Sequence, residues 1–238
     1  MIVNADAKAL EWYAGTFLSQ DQVAIAEIWD KVDQHTSNQT AFNLPSRLVA
    51  KKFVFRLVYG GSAYSYALDP DFEDVGYSQK RWQEVIDSFY SKYKGWHKWH
   101  ISLMNEVTRT GKLVMPTGRE YLYTPKKRRG ILEWPRTTIL NYPVQGFGAD
   151  IMMLARISFR KRFHENRIEG TVISSVHDSI VCDVPSYEVQ RTADLFYEVF
   201  DDLPKIVSAA FDIDFNLPLL CEVSQGFNMK ELEEIQRS

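Results

Sequence analysis

The sequence predicts an α+β fold: an antiparallel sheet with helices and a mostly helical insertion. Three observations point there. Short strand-like runs open the chain and return later as hairpins, while helical periodicity fills the stretches between them. No internal repeat, low-complexity linker or clean domain boundary divides the 238 residues. With 45% hydrophobic and 13% aromatic side chains, the chain can bury a sizeable core in one large domain or two intimately linked ones.

Taken in order, IVNA reads as a buried strand ending at Asp6, followed by helical periodicity in AKALEWYAGTFL. QDQVAIAEIWDKVDQHT reads as one amphipathic helix with an acidic, polar face. Pro45-Ser46 opens a long helix that Gly60-Gly61 stops. The aromatic-rich Ser78–Thr108 stretch suggests two helices broken near Gly95, with the GWHKWH cluster read as packing. KLVMPTGREYLYTP reads as a hairpin around Pro116-Thr117-Gly118, and Lys126–Gly130, KKRRG, as a basic loop. Pro143–Phe163 is expected to be helical, GTVISSVHDSIVCDVP to be a hairpin of two buried strands, and Tyr187 to Asp201 to lie in a further helix.

The net charge of −3 does not announce a nucleic-acid binder, so any basic surface must be local. Cys182 and Cys221 sit in apolar surroundings and read as buried thiols. No run of about 18 apolar residues predicts a membrane span. The N-terminal MIVNADAKALEW lacks the basic and apolar regions of a signal peptide. The initiating Met1 favours a complete gene product, and the expected location is cytoplasmic (the host cytoplasm, if phage-encoded).

Asp6 closes a strand, and Asp178 occupies the turn of a distant hairpin. Two carboxylates at adjacent strand ends can hold two divalent cations for phosphoryl transfer, although solvated turn aspartates fit the same spacing. Arg47, Lys51, Phe55 and Tyr59 recur every four residues and drift only about 40° per step, so they share a broad helical face. Two cations followed by two aromatics suit an anionic ligand with a flat attachment, and an amphipathic helix with core aromatics equally. The amides Asn141 and Gln145, again four apart, can address minor-groove acceptors or cap a helix locally. Lys126–Arg129 suit phosphate contacts or a solvated loop.

In their order, these motifs resemble family A DNA polymerases, the bacterial polymerase I type, and look nearest to phage members. NADAKALEW is similar to motif A, and RLVAKKFVFRLVYGG to motif B, in a helix over 46–60. PTGREYLY resembles the family's Gly-Arg hairpin, NYPVQGFGADI its Asn-x-Pro-x-Gln-Gly helix, and SVHDSIV motif C, in a hairpin over 171–185.

The resemblance implies template-directed DNA synthesis from dNTPs on a primer-template. Residues 1–28 and 133–238 would form the palm, and 29–132 the fingers. It implies that Asp6, Asp178 and the Ala7 carbonyl bind two Mg²⁺ ions, with Mn²⁺ as a substitute. Glu11 would exclude a ribose 2′-hydroxyl. Arg47, Lys51 and His35 would meet the triphosphate, with Lys51 protonating the leaving pyrophosphate. Phe55 would lie against the incoming nucleotide and Tyr59 near the templating base. Asn141 and Gln145 would read the minor groove, while His177 and Arg119 would approach the primer end.

Ala7 replaces a familiar tyrosine, Ser179 replaces a frequent glutamate, and the chain starts almost at motif A, where thumb and exonuclease domains would precede it. The expectation is therefore the C-terminal half of a split phage polymerase, partnered by a second chain with thumb and 3′–5′ exonuclease. A non-catalytic DNA- or nucleotide-binding subunit and a phage-type RNA polymerase are the alternatives. Glu11 and Phe55 argue against the latter.

Overall fold

The computed structural model describes residues 1–128 and 130–238 and divides them into two compact units. Unit 1 comprises Met1–Ala14 and Gln145–Ser238, and unit 2 comprises Gly15–Val144. An antiparallel sheet combined with helices confirms the predicted fold class.

In unit 1 the sheet contains β1 (Ile2–Ala7), β6 (Thr171–Val176), β7 (Ser179–Asp183), β8 (Cys221–Gly226) and β9 (Glu233–Glu234). Its order is β6-β7-β1-β8-β9, and every pairing is antiparallel. β1 alternates Val3, Ala5 and Ala7 with Asn4 and Asp6, so the two sets point to opposite faces. Helix α9 (Val189–Phe211) packs on β1 and β8 and extends ten residues past the predicted end, carrying Pro204 within it. Helix α8 (Arg136–Glu165) begins in unit 2 and continues into unit 1, with Pro143 inside rather than at its start. Phe159 of α8 stacks on Phe196 of α9 with centroids 3.7 Å apart, and both rings are fully buried. Cys182 and Cys221 are buried free thiols, as expected.

One strand of the motif C hairpin departs from expectation. β7 is buried from Ser179 to Cys182, whereas β6 is the sheet edge and almost wholly exposed. An apolar run cannot distinguish a central strand from an edge strand, because pairing partners decide burial.

Unit 2 begins within α1 (Leu10–Ser19), whose first half belongs to unit 1. The segment read as one amphipathic helix is two, α2 (Gln22–Trp29) and α3 (Gln34–Ala41). Lys31 takes a left-handed φ of 54°, and the Asp33 carboxylate caps α3 through the His35 and Thr36 amides. Ser46 caps α4 (Arg47–Val58). Beyond the short α5 (Ala63–Ala67) and a 3₁₀ turn over Pro70–Val75 come α6 (Gln79–Lys92) and α7 (Lys94–Thr110), which meet at Tyr93. Phe53, Tyr66, Phe72 and Trp82 form a buried aromatic core, with Tyr66 and Trp82 stacked at 5.0 Å. Trp96 and His100 are buried, as the packing reading of GWHKWH expected.

Strands β2 (Lys112–Val114) and β3 (Glu120–Leu122) form the predicted hairpin. The basic loop instead supplies a strand: β4 (Lys126–Arg128) pairs with β5 (Ile131–Glu133), and Lys126 stands opposite Glu133. Arg129 lies outside the described residues. No helix among the described residues is long and apolar enough to cross a membrane.

A single carboxylate ties two helices of unit 2 together. Asp21, 1% exposed, accepts the Val23 and Ala24 amides through Oδ1, capping α2. Its Oδ2 accepts the Gly95 amide at 2.6 Å and the Trp96 amide at 3.3 Å, in the first turn of α7. Glycine is required at 95, because a Cβ there would come 2.6 Å from the Asp21 Cα. Asp21→Ala strips two helix starts of their acceptor and is expected to cost about 2–4 kcal/mol by urea denaturation. A loss under about 0.5 kcal/mol would contradict this role.

Candidate active site

Three carboxylates of unit 1, those of Asp6, Asp178 and Glu222, gather at one end of its sheet. β1 lies between β7 and β8, so Asp6 stands opposite Ser179 on one side and Glu222 on the other. Asp178 occupies the turn between β6 and β7, and its carbonyl accepts the Ala7 amide at 2.9 Å. That bond carries the β1–β7 pairing up to the turn and holds the two aspartates at neighbouring strand ends. His177 precedes Asp178 in the same turn and is exposed, with a left-handed φ of 53°. Glu11 is half-buried in the first turn of α1.

Electrostatics confirm the grouping. The Asp6 carboxyl is raised to about 6, first by burial and then by Asp178, Glu222 and Glu11. Glu222 was not anticipated from the sequence. It forms an ion pair of 2.9 Å with Lys8, the residue two beyond Asp6. Its signal was the alternation in CEV, an exposed acid between two buried residues, but only the long-range register aligns it with Asp6. Asn4, on the same face of β1 as Asp6, is buried, and its Oδ1 has no hydrogen-bond partner. Ser179 turns its hydroxyl to the Val176 carbonyl at 2.9 Å, so it closes the turn instead of adding a charge.

These groups suit a hard cation that prefers oxygen. Mg²⁺ takes one or two carboxylates and completes its shell with water and substrate oxygens. The donor set of Asp6, Asp178 and the Ala7 carbonyl fits that habit. Among the described residues no cluster of three or more His, Cys, Asp or Glu forms a self-sufficient metal cage.

In unit 2 the four-residue stripe of α4 faces outward. Arg47, Lys51 and Phe55 are exposed and Tyr59 is half-buried, while Ala50, Phe53, Val54, Leu57 and Val58 fill the core side. The reading in which these aromatics face the core fails for Phe55, which is 50% exposed. Phe55 and Tyr59 meet edge-to-face, 4.9 Å between centroids. Lys51, Phe55 and Tyr59 line a groove of about 660 Å³ with Thr137. Gly60 permits this arrangement: its φ is +86°, and a Cβ would press on the Thr137 backbone at 3.2 Å.

The cations of α4 differ in their partners. Lys52 and Arg56 pair with Asp71, and Arg56 also with Asp69. Arg47 donates to Asp33 at 2.8 Å, and that bond lowers the Asp33 carboxyl to about 2. Among the described residues, Lys51 has no acidic partner. His35 lies close enough to feel Arg47 and Lys51; burial first, then Arg47, holds its imidazole below the usual value, and its Nδ1 has no hydrogen-bond partner.

Arg119 is exposed at the β2–β3 turn. Asn141 and Gln145 lie one turn apart along α8, Asn141 with a buried, unpartnered Oδ1 and Gln145 exposed. Thus Asp6, Ala7, Asp178, His177, Glu11 and Gln145 belong to unit 1, and the other predicted site residues to unit 2.

The chain is similar to bacterial DNA polymerases I. It is 26% identical to that of Caldicellulosiruptor bescii over 245 aligned positions, covering 97% of this chain and 27% of the relative. The enzyme of Pseudomonas aeruginosa is also 26% identical, covering 97% and 25%, and that of Geobacillus stearothermophilus 25% identical, covering 84% and 24%. The chain thus spans about a quarter of these relatives' length. Its fold matches the POL domain of Pol1 from M. smegmatis, solved in complex with DNA primer-template and dNTP. The TM-score is 0.78 at 20% identity, over 94% of this chain and 39% of that one. The model for DNA polymerase family A matches residues 1–231, nearly the whole sequence, and the chain therefore belongs to that family.

Proposed function

We propose that this chain adds deoxynucleotides to a primer 3′-hydroxyl, directed by a template. The observation that carries the reading is the Asp6–Asp178 pair at neighbouring strand ends, with the Asp6 carboxyl raised to about 6 by burial and nearby acids. Residues 1–28 and 133–238 would serve as palm and residues 29–132 as fingers.

Asp6, Asp178 and the Ala7 carbonyl would hold two Mg²⁺ ions, for which Mn²⁺ can substitute. Bound there, the ions would lower the pKa of the primer hydroxyl and neutralise charge on the leaving pyrophosphate. Arg47 would exchange its Asp33 partner for a phosphate oxygen. Lys51 would bind the triphosphate and donate a proton to the leaving group, and His35 would approach the same phosphates. Phe55 would support the sugar and base, and Tyr59 the templating position. Glu11 would fill the space a 2′-hydroxyl needs. Asn141 and Gln145 would address minor-groove acceptors, while His177 and Arg119 would contact the primer end.

We further propose a second chain, carrying thumb and 3′–5′ exonuclease, that supplies grip on duplex DNA. Co-purification with such a polymerase-like chain is the expected result. Processive extension by this chain alone would contradict the two-chain reading.

In primer extension, Asp178→Ala is expected to lower the rate on the order of 10³-fold without lowering the melting temperature. Unchanged activity in the assembled complex would sink the catalytic assignment. Glu11→Ala is expected to raise ribonucleotide use relative to deoxynucleotide use roughly 10–200-fold. Ready ribonucleotide use by the unaltered chain would instead favour an RNA polymerase.

The raised Asp6 carboxyl also predicts a pH effect. Between 3.8 and about 6 the folded state binds more protons there than the unfolded chain, so this group's contribution to stability falls as pH rises through that window. Without divalent cations, Asp6→Asn should raise the melting temperature at pH 7 by roughly 2–4 °C, taking a solvent-discounted effect of about 1 kcal/mol, and change it little at pH 4. A lower melting temperature at pH 7 would contradict the repulsion.

A further inference from the structure

The sheet of unit 1 has an open edge. β6 is its end strand, and TVISSV carries neither the charge nor the proline that usually guards such an edge. The β6–β7 register shifts between Val172 and Ser174, which leaves Ile173 without a partner on β7. Bulges re-aim side chains, and Ile173 is 51% exposed, with Val176 at 53%.

Beside this edge runs an exposed stripe of α8. Met153, Arg156, Ile157, Arg160 and His164 follow the spacing that keeps residues on one helical face. Arg156, Ile157, Arg160 and His164 line a groove of about 500 Å³ together with β6. Neither arginine has an acidic partner among the described residues. The groove therefore offers an unpaired row of backbone groups, exposed apolar side chains and two uncompensated guanidinium groups. An extended polypeptide satisfies all three, pairing its backbone with β6 and alternating apolar with acidic side chains. A nucleic acid would satisfy the cations and leave the strand edge unpaired.

We infer that this groove receives, by strand addition next to β6, an extended acidic–apolar segment of a partner polypeptide. The inference deepens the second-chain part of the proposed function and is independent of the catalytic site.

The test uses the whole chain and fluorescent twelve-residue probes, one alternating valine with glutamate and one alternating valine with lysine. Anisotropy should show the glutamate probe binding at least tenfold more tightly, and its binding should slow hydrogen exchange at β6. Ile173→Lys should weaken it at least tenfold, and the double variant Arg156→Glu/Arg160→Glu should reverse the preference, both at unchanged melting temperature. The inference is overturned by failure of either probe to bind, equal binding of both, or unprotected β6 amides. Displacement of the glutamate probe by single-stranded DNA would assign the groove to nucleic acid. Self-association abolished by Ile173→Lys would assign it to a second copy. Because binding is read without nucleotide, its failure leaves the catalytic reading standing, and absent primer extension leaves this inference standing.

Discussion

A repulsion held in place by strand pairing organises unit 1. Asp6 and Asp178 would separate if they were free to move. β1 cannot shift without losing two ladders, and the turn cannot shift without losing the bond from the Ala7 amide to the Asp178 carbonyl. Burial, and after it the neighbouring acids Asp178, Glu222 and Glu11, raise the proton affinity of Asp6. A folded protein keeps such a concentration of like charge at a cost to its stability, which is the usual condition of a site prepared for a cation. Lys8 relieves part of it by pairing with Glu222, on the edge of the cluster away from Asp178's strand.

Unit 2 applies the complementary logic to positive charge. Its aromatic core fixes one face of α4, and the opposite face presents two cations ahead of two rings. Lys52 and Arg56 are committed to Asp69 and Asp71 as structural pairs. Arg47 has an exposed and therefore exchangeable partner in Asp33, and Lys51 has no acidic partner among the described residues. Structural and available cations are thus separated along a single helix. The buried Asp21 carboxylate performs only structural work, joining the starts of α2 and α7.

Much of this was legible in the sequence because it is local. The stripe of α4, its Ser46 cap and its Gly60 stop depend on neighbours within a few turns. The break between α2 and α3 was missed because Asp33 reads equally as part of an acidic helical face and as a new cap. β4 was missed because KKR has the composition of a solvated loop, and its pairing with ILE only appears across the turn. Long-range register was hidden altogether. Spacing could not choose between a cation site and solvated turns for Asp6 and Asp178, and it gave no reason to single out Glu222. The β6 edge illustrates the same limit: TVISSV and SIVCD look alike as apolar runs, yet only one is covered on both sides.

The central claim is that Asp6 and Asp178 form one cation site. Mn²⁺ binding followed by electron paramagnetic resonance tests it most directly, using the intact chain and the variants Asp6→Asn and Asp178→Asn. The account predicts that each substitution alone weakens binding at least about tenfold, and that the double variant is little worse than either, as expected of groups sharing one ligand. Wild-type affinity in both single variants, or fully additive losses, would contradict it.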